Sequence, residues 1–214
     1  MSNHSQNEFE FRLLTEDDLE VAVAFVHKNY TLKEPLRQMI TKDVEQCIGI
    51  DKKRVVEKLR DNASIGVFNE SGKMIASGFC GLNTRAQKSL CCHGDHSSVQ
   101  WFRYISTLVE TLEGSLMDEL NTDKFLMLSM LAVDPDYQRR GIAKELVKRS
   151  EDIARKLPCE YMVVNASSFY TQKCFENMGY VKLKSVDYEG YFDPALNVVP
   201  KPPHLSCVVY YKKL

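Results

Sequence analysis

Long apolar runs are missing from this 214-residue chain: no stretch approaches the roughly 20 residues that a membrane-spanning helix needs. An excess of charge is missing too. Twenty-eight Lys and Arg face twenty-nine Asp and Glu, a formal net charge of −1, which excludes the broad positive field that nucleic-acid or anionic-membrane binding requires. Any anion site must therefore be local. The first eight residues, Met1 to Glu8, lack the apolar core of a secretory signal and are expected to form a disordered polar tail. A disulfide framework is absent as well: seven cysteines in no regular array suit a reducing, cytoplasmic setting. The sequons at Asn62 and Asn165 are accordingly read as accidental. Repeats, low-complexity tracts and a linker are all lacking, so residues 9–214 are expected to form one domain.

What is present is an alternation of strand and helix patterns. Phe9 to Leu13 alternates as a half-buried strand, and Thr15 opens a helix whose apolar face runs through Leu19, Val23 and Val26 to Tyr30. Pro35 breaks the pattern, placing Thr31 to Glu34 between two helices. Helices are expected over Leu36–Ile48 and Lys52–Arg60, then strands over Ala63–Phe68 and Met74–Leu82, joined at Asn69-Glu70-Ser71-Gly72. A polar loop from Thr84 to Ser98 precedes one long helix over Phe102–Leu120. Strands at Glu160–Val164, Tyr180–Val186 and Ser206–Tyr211 and a helix at Phe169–Met178 complete the chain. The fold class is α/β: a mixed central sheet of about seven strands with helices on both faces.

One stretch organises the rest. Leu126 to Val133 is apolar on both parities, as in a strand buried on both faces, and after Asp134-Pro135 an amphipathic helix runs from Ile142 to Leu157. Between them lies Gln138-Arg139-Arg140-Gly141-Ile142-Ala143. Unpaired N–H groups and the positive dipole end make such a helix start an anion site. Gly141 leaves the backbone open to a ligand, and Arg139 and Arg140 add guanidinium groups that match phosphate. Neither a P-loop nor a dinucleotide-binding G-x-G-x-x-G is present.

Gln-x-x-Gly-x-Ala after a strand resembles the acetyl-coenzyme A pyrophosphate loop of the GNAT superfamily of N-acetyltransferases. Asn165 to Tyr180, a helix ending in a Gly-aromatic pair, is similar to that family's second signature. Glu34-Pro35-Leu36, the run Ser167 to Thr171 and Pro203-His204 resemble the insect arylalkylamine N-acetyltransferases. The resemblance spans roughly Phe9 to Tyr211. It implies a GNAT-like fold and transfer of acetyl from acetyl-CoA to arylalkylamines such as dopamine, serotonin, octopamine or tyramine, by direct attack in a ternary complex. It further implies Glu34 as general base and Ser167 and Thr171 in substrate and acid roles, with a strand bulge at Leu131, Ala132 and Val133 that offers a backbone donor to the carbonyl oxygen and pairs with the coenzyme's arm. Gln138, Arg139, Arg140, Gly141, Ile142, Ala143 and Lys144 would hold its diphosphate, and Ser168, Tyr170 and Lys173 would line it.

Two positions depart from the pattern. Phe175 stands where many members carry a Tyr acid, and Thr171 replaces a Ser. On residues alone, Glu34 can equally cap the helix after it, and Ser167 or Ser168 can cap the helix at Phe169. His204 reads as a base, an orienting group or a structural residue. Cys91, Cys92, His93 and His96 are metal-ligand types without a second ligating element, so no metal is expected. The expected partner is a small amine, with no nucleic acid and no membrane, and the chain is expected to act as a monomer. Polyamines, agmatine or amino-acid amines are alternative acceptors, and a coenzyme-binding regulatory module without catalysis is the alternative of another class.

Overall fold

Apolar patterning and one parallel crossover account for the architecture. The computed structural model describes residues 9–40, 47–85, 100–192, 194 and 198–214. The strands are β1 (Glu10–Leu13), β2 (Ile65–Phe68), β3 (Met74–Thr84), β4 (Lys124–Val133), β5 (Tyr161–Ala166), β6 (Val181–Asp187) and β7 (Ser206–Lys213). They form one sheet in the order β1-β2-β3-β4-β5-β7-β6. Every neighbouring pair is antiparallel except β4–β5. A parallel pair needs a crossover, and the helix α6 (Ile142–Lys156) supplies it.

Helices cover both faces. α6 and α7 (Phe169–Asn177) pack on Leu126, Leu128, Met162, Val164, Val208 and Tyr210. On the opposite face, α1 (Leu19–Asn29) and α3 (Ile48–Leu59) cover Met74, Phe79, Met130 and Ala132. There α4 (Gln100–Glu113) covers Phe125, Met127, Val163 and Val209. Burying each such side chain contributes about 1.5–3 kcal/mol, and this fixes the sheet between its two helical layers. No helix among the described residues is long and apolar enough to cross a membrane.

Two expected helices differ in extent. The segment expected to be helical over Leu36–Ile48 begins at Pro35 as α2 (Pro35–Ile40), residues 41–46 lie outside the described residues, and α3 starts at Ile48 instead of Lys52. The expected helix over Phe102–Leu120 is two, α4 and α5 (Leu116–Glu119). Gly114 still bonds back to Glu110 at 2.9 Å, but Ser115, at φ −116°, leaves the helical region and starts a new turn. Residues 1–8 and the Cys91–His96 constellation also lie outside the described residues.

Candidate active site

The site begins where two strands part. β4 pairs with β5 from Phe125↔Tyr161 to Leu128↔Val164 and no further, while both strands continue. On its other edge β4 skips a residue against β3: Cys80 faces Leu128 and Phe79 faces Met130, so Ser129 is a bulge. The bulge exchanges the faces of every later side chain. Phe125 and Met127 point toward α4; past Ser129 it is Met130 and Ala132 that point to that side, and Leu131 turns toward α6. The bulge expected at Leu131–Val133 thus falls at Ser129, because an apolar run filled on both parities hides a change of parity. Leu131, Ala132 and Val133 pair with Gly78, Ser77 and Ala76 of β3, and their other edge looks into the opening. An open strand edge of this kind can pair with an extended ligand chain.

Beyond β4 the chain turns into α6. Asp134 accepts from the amide of Asp136 at 3.1 Å and takes an ion pair from Lys73 at 3.2 Å, fixing the turn Pro135–Tyr137. Gln138 is extended, and its side chain donates to the Val133 carbonyl at 3.3 Å. Arg139 (φ 61°) and Gly141 (φ 81°) are left-handed. At Gly141 a Cβ would meet nothing within 4 Å, so glycine is required there by its backbone angle. The first helical bond runs from Glu145 to the Gly141 carbonyl at 3.1 Å, which leaves the N–H groups of Ile142, Ala143 and Lys144 without acceptors inside the helix. Arg140 stacks over Tyr137 at 5.3 Å and bonds the Asp136 carbonyl at 3.4 Å. Gln138, Arg139, Arg140, Gly141 and Lys144 are exposed around these amides, an arrangement that can receive an anion.

Across the opening, Glu34 and Ser167 meet although 133 residues separate them: the Ser167 hydroxyl donates to Glu34 Oε1 at 2.6 Å. Glu34 is 7% exposed. Oε1 also accepts from Leu36 N (3.1 Å) and Oε2 from Arg37 N (2.7 Å), so the carboxylate caps α2 while holding Ser167. Capping and contact with Ser167 coexist in one group. Tyr188 donates to the Ser167 carbonyl at 3.0 Å.

Helix α7 is capped from elsewhere in the chain. Neither Ser167 nor Ser168 bonds its first amides; the Phe169 amide donates to Nδ1 of His204 at 3.2 Å, which requires the imidazole to be unprotonated at that nitrogen. Gln172 ties α7 to the ends of β5 and β7 through the carbonyls of Ala166 (3.1 Å) and Ser206 (2.9 Å). Thr171 is half-buried one turn beyond Ser167. Tyr170 is 68% exposed and lies edge-on to His204, and Lys173 is paired with Glu176 at 2.6 Å on the outer side of α7. Of the expected residues, Glu34 and Ser167 are therefore brought into contact, whereas Lys173 already has a carboxylate partner.

Sequence reasoning missed a polar chain beneath this pair. The buried Cys207 thiol donates to Asn165 Oδ1 at 2.7 Å, and Asn165 Nδ2 donates to Glu113 Oε1 of α4 at 3.0 Å. Burial, with Glu34 and Glu113 nearby, pushes the Cys207 thiol well above its ordinary range. Burial raises Cys174 as well, so both thiols stay protonated and are poor nucleophiles. Burial also keeps the phenols of Tyr30 and Tyr188 protonated beyond their usual range. The Tyr30 hydroxyl lies 3.5 Å from the Ser129 carbonyl at the bulge. The one signal in the sequence was Asn165, a polar residue ending an apolar strand.

Residues 113–192 match the family model of the acetyltransferase (GNAT) domain. Solved structures similar to the whole chain include arylalkylamine N-acetyltransferase 2 from Aedes aegypti, 20% identical with a TM-score of 0.85 over 97% of this chain and 99% of that one. A polyamine N-acetyltransferase of Drosophila melanogaster that forms N-acetylagmatine is 19% identical, with a TM-score of 0.82 over 96% and 100%. An agmatine N-acetyltransferase is 20% identical, with a TM-score of 0.84 over 97% and 100%.

Proposed function

We propose that the chain acetylates small primary amines with acetyl-CoA: residues 113–192 match the model of the acetyltransferase (GNAT) domain, and the chain has the fold of solved N-acetyltransferases over nearly its whole length. One observation carries this reading: the opening between β4 and β5 has a backbone anion turn on one side and the Glu34–Ser167 pair on the other. Acetyl-CoA would supply the thioester acyl group. Amides from Arg139 to Lys144 would hold its diphosphate, and the free edge of Ser129 to Val133 its extended arm.

An acceptor ammonium with a pKa of about 10 must lose a proton before it can attack. Both oxygens of Glu34 are engaged and its carboxylate is buried, so Ser167 is the group that faces the amine. Ser167 takes the amine proton while passing its own to Glu34 Oε1. Direct transfer, with no acyl-cysteine, agrees with the protonated state of Cys174 and Cys207. The departing thiolate, of a thiol with a pKa of about 8.5, needs only a modest donor. Phe175 offers none, and the Thr171 or Tyr30 hydroxyl serves instead.

Arylalkylamines are the first acceptor class, supported by the aromatic packing of Tyr188, Tyr191 and Phe192 on the α4 face. A second class, agmatine or polyamines, is favoured by Glu113, a second carboxylate on the same face as Glu34. The free thiols of all five described cysteines agree with a cytoplasmic setting. Thiol release from acetyl-CoA across phenylethylamine, tyramine, dopamine, agmatine and putrescine tests the reading. Turnover of at least one is expected. Thermal stabilisation by acetyl-CoA with no turnover on any would make the chain a coenzyme-binding module instead.

A further inference from the structure

We propose that Asp51, clamped between Arg37 and His27, is a positioning residue that sets the orientation of Glu34. This rests on the reading of Glu34 as the base acting through Ser167. Asp51 on α3 is fully buried. Its Oδ1 lies 3.3 Å from Arg37 Nη1 on α2, and its Oδ2 takes a hydrogen bond from His27 Nδ1 on α1 at 3.0 Å. Three helices therefore meet on one carboxylate. The Arg37 side chain is only 4% exposed.

The same Arg37 that is held by its guanidinium donates its backbone N–H to Glu34 Oε2 at 2.7 Å, the shorter of the two amide bonds to that carboxylate. α2 is only six residues long, too short to hold its first turn by helical bonding alone. The side-chain anchor at Arg37 supplies that rigidity. A guanidinium taken out of water without a carboxylate would draw in solvent or swing outward, and the first turn of α2 would move with it. Glu34 would then lose the direction in which it meets Ser167, and a displacement of about 1 Å at a reacting group can cost on the order of a hundredfold in rate. The coenzyme turn at the start of α6 lies on the opposite sheet face and has no part in this network.

The test uses the full chain, acetyl-CoA and two acceptors of one shape but different basicity: 2-phenylethylamine, protonated at neutral pH, and its 2,2-difluoro derivative, much of which is already neutral. Asp51→Asn is expected to lower kcat on the protonated acceptor by about ten- to a hundredfold, to leave KM for acetyl-CoA within about twofold, and to lose much less on the fluorinated acceptor. The double variant Arg37→Gln/Asp51→Asn leaves no unpaired buried charge and decides the matter if Asp51→Asn does not fold. Wild-type kcat in a folded variant, or an equal loss on both acceptors, overturns the proposal. Glu34→Gln is the control. If it is indifferent to acceptor basicity, the base reading itself fails; if it discriminates and the Asp51 variants do not, only the positioning role fails.

Discussion

At the scale of single residues, the decisive feature is a short hydrogen bond between side chains from distant parts of the sequence. Glu34 and Ser167 were each visible as candidates, Glu34 beside Pro35 and Ser167 ahead of a helix. Their 2.6 Å contact was not, because nothing local in a sequence encodes a pairing across 133 residues. The contact alters what each does. Glu34 is no solvated cap but a buried acceptor whose outward-facing partner is a hydroxyl. Ser167→Ala is therefore expected to lower kcat by about a hundredfold while leaving KM for acetyl-CoA near wild type, since the anion turn is untouched. Steady-state kinetics with both substrates varied checks this. A loss confined to KM for acetyl-CoA would move Ser167 from proton transfer to coenzyme binding. Lys173 shows the opposite limit of sequence reading: its charge is legible, but a cation three residues before Glu176 can turn to that carboxylate as readily as to a ligand, and here it does.

At the scale of elements, the structure closes helix ends with groups from other parts of the chain. His204 caps α7, and this follows from the path of the segment entering β7, which no periodicity reveals. Removing the acceptor from a half-buried helix start costs about 1 kcal/mol, so His204→Ala is expected to lower stability by that amount and His204→Asn, which keeps an acceptor, to restore much of it. Chemical denaturation with an unchanged m-value measures both. β1 is joined to the turn after it by a fork from Arg12 to Asp18, at 2.8 and 2.6 Å. The hydrogen bonds from Arg12 hold the Asp18 carboxyl at about 2, below its ordinary 3.8. A carboxylate depressed in the folded state adds stability that is complete above its unfolded value and disappears as pH falls through the folded one. Arg12→Ala is thus expected to cost about 1–2 kcal/mol at neutral pH, discounted because the Arg12 side chain is 38% exposed. Against wild type, that gap should close between about pH 4 and pH 2, as urea melts across the range would record. A gap that persists unchanged at pH 2 would assign the loss to packing over Phe68, on which the guanidinium also rests at 4.1 Å.

At the scale of the whole molecule, the seven strands, the mixed sheet and the two helical layers were legible because apolar periodicity and breakers encode them directly. The opening in the sheet was not, because it comes from one extra residue in a strand that is apolar on both parities. Ser129 does two things at once: it exchanges the faces of Met130 to Val133, and it lies where β4 leaves β5. Deleting Ser129 would restore an unbroken register. Met130 would then follow Leu128 in plain alternation, so Met130 and Ala132 keep their places against α1 and α3, and Leu131 its place toward α6. The core contacts are kept and the change falls on the edge: a continuous β4 would pair on along β5 and close the gap. Ser129→Ala keeps the backbone count and the carbonyl that faces Tyr30, so it should change stability by less than about 1 kcal/mol. Thermal melts of both variants, with and without acetyl-CoA, separate backbone from side chain. The alanine variant is expected to gain the same ligand-induced rise in Tm as wild type, and the deletion variant to gain none. A deletion variant that is folded and still stabilised by acetyl-CoA would show that the coenzyme does not need the bulge, and the site would have to be sought away from the β4–β5 opening.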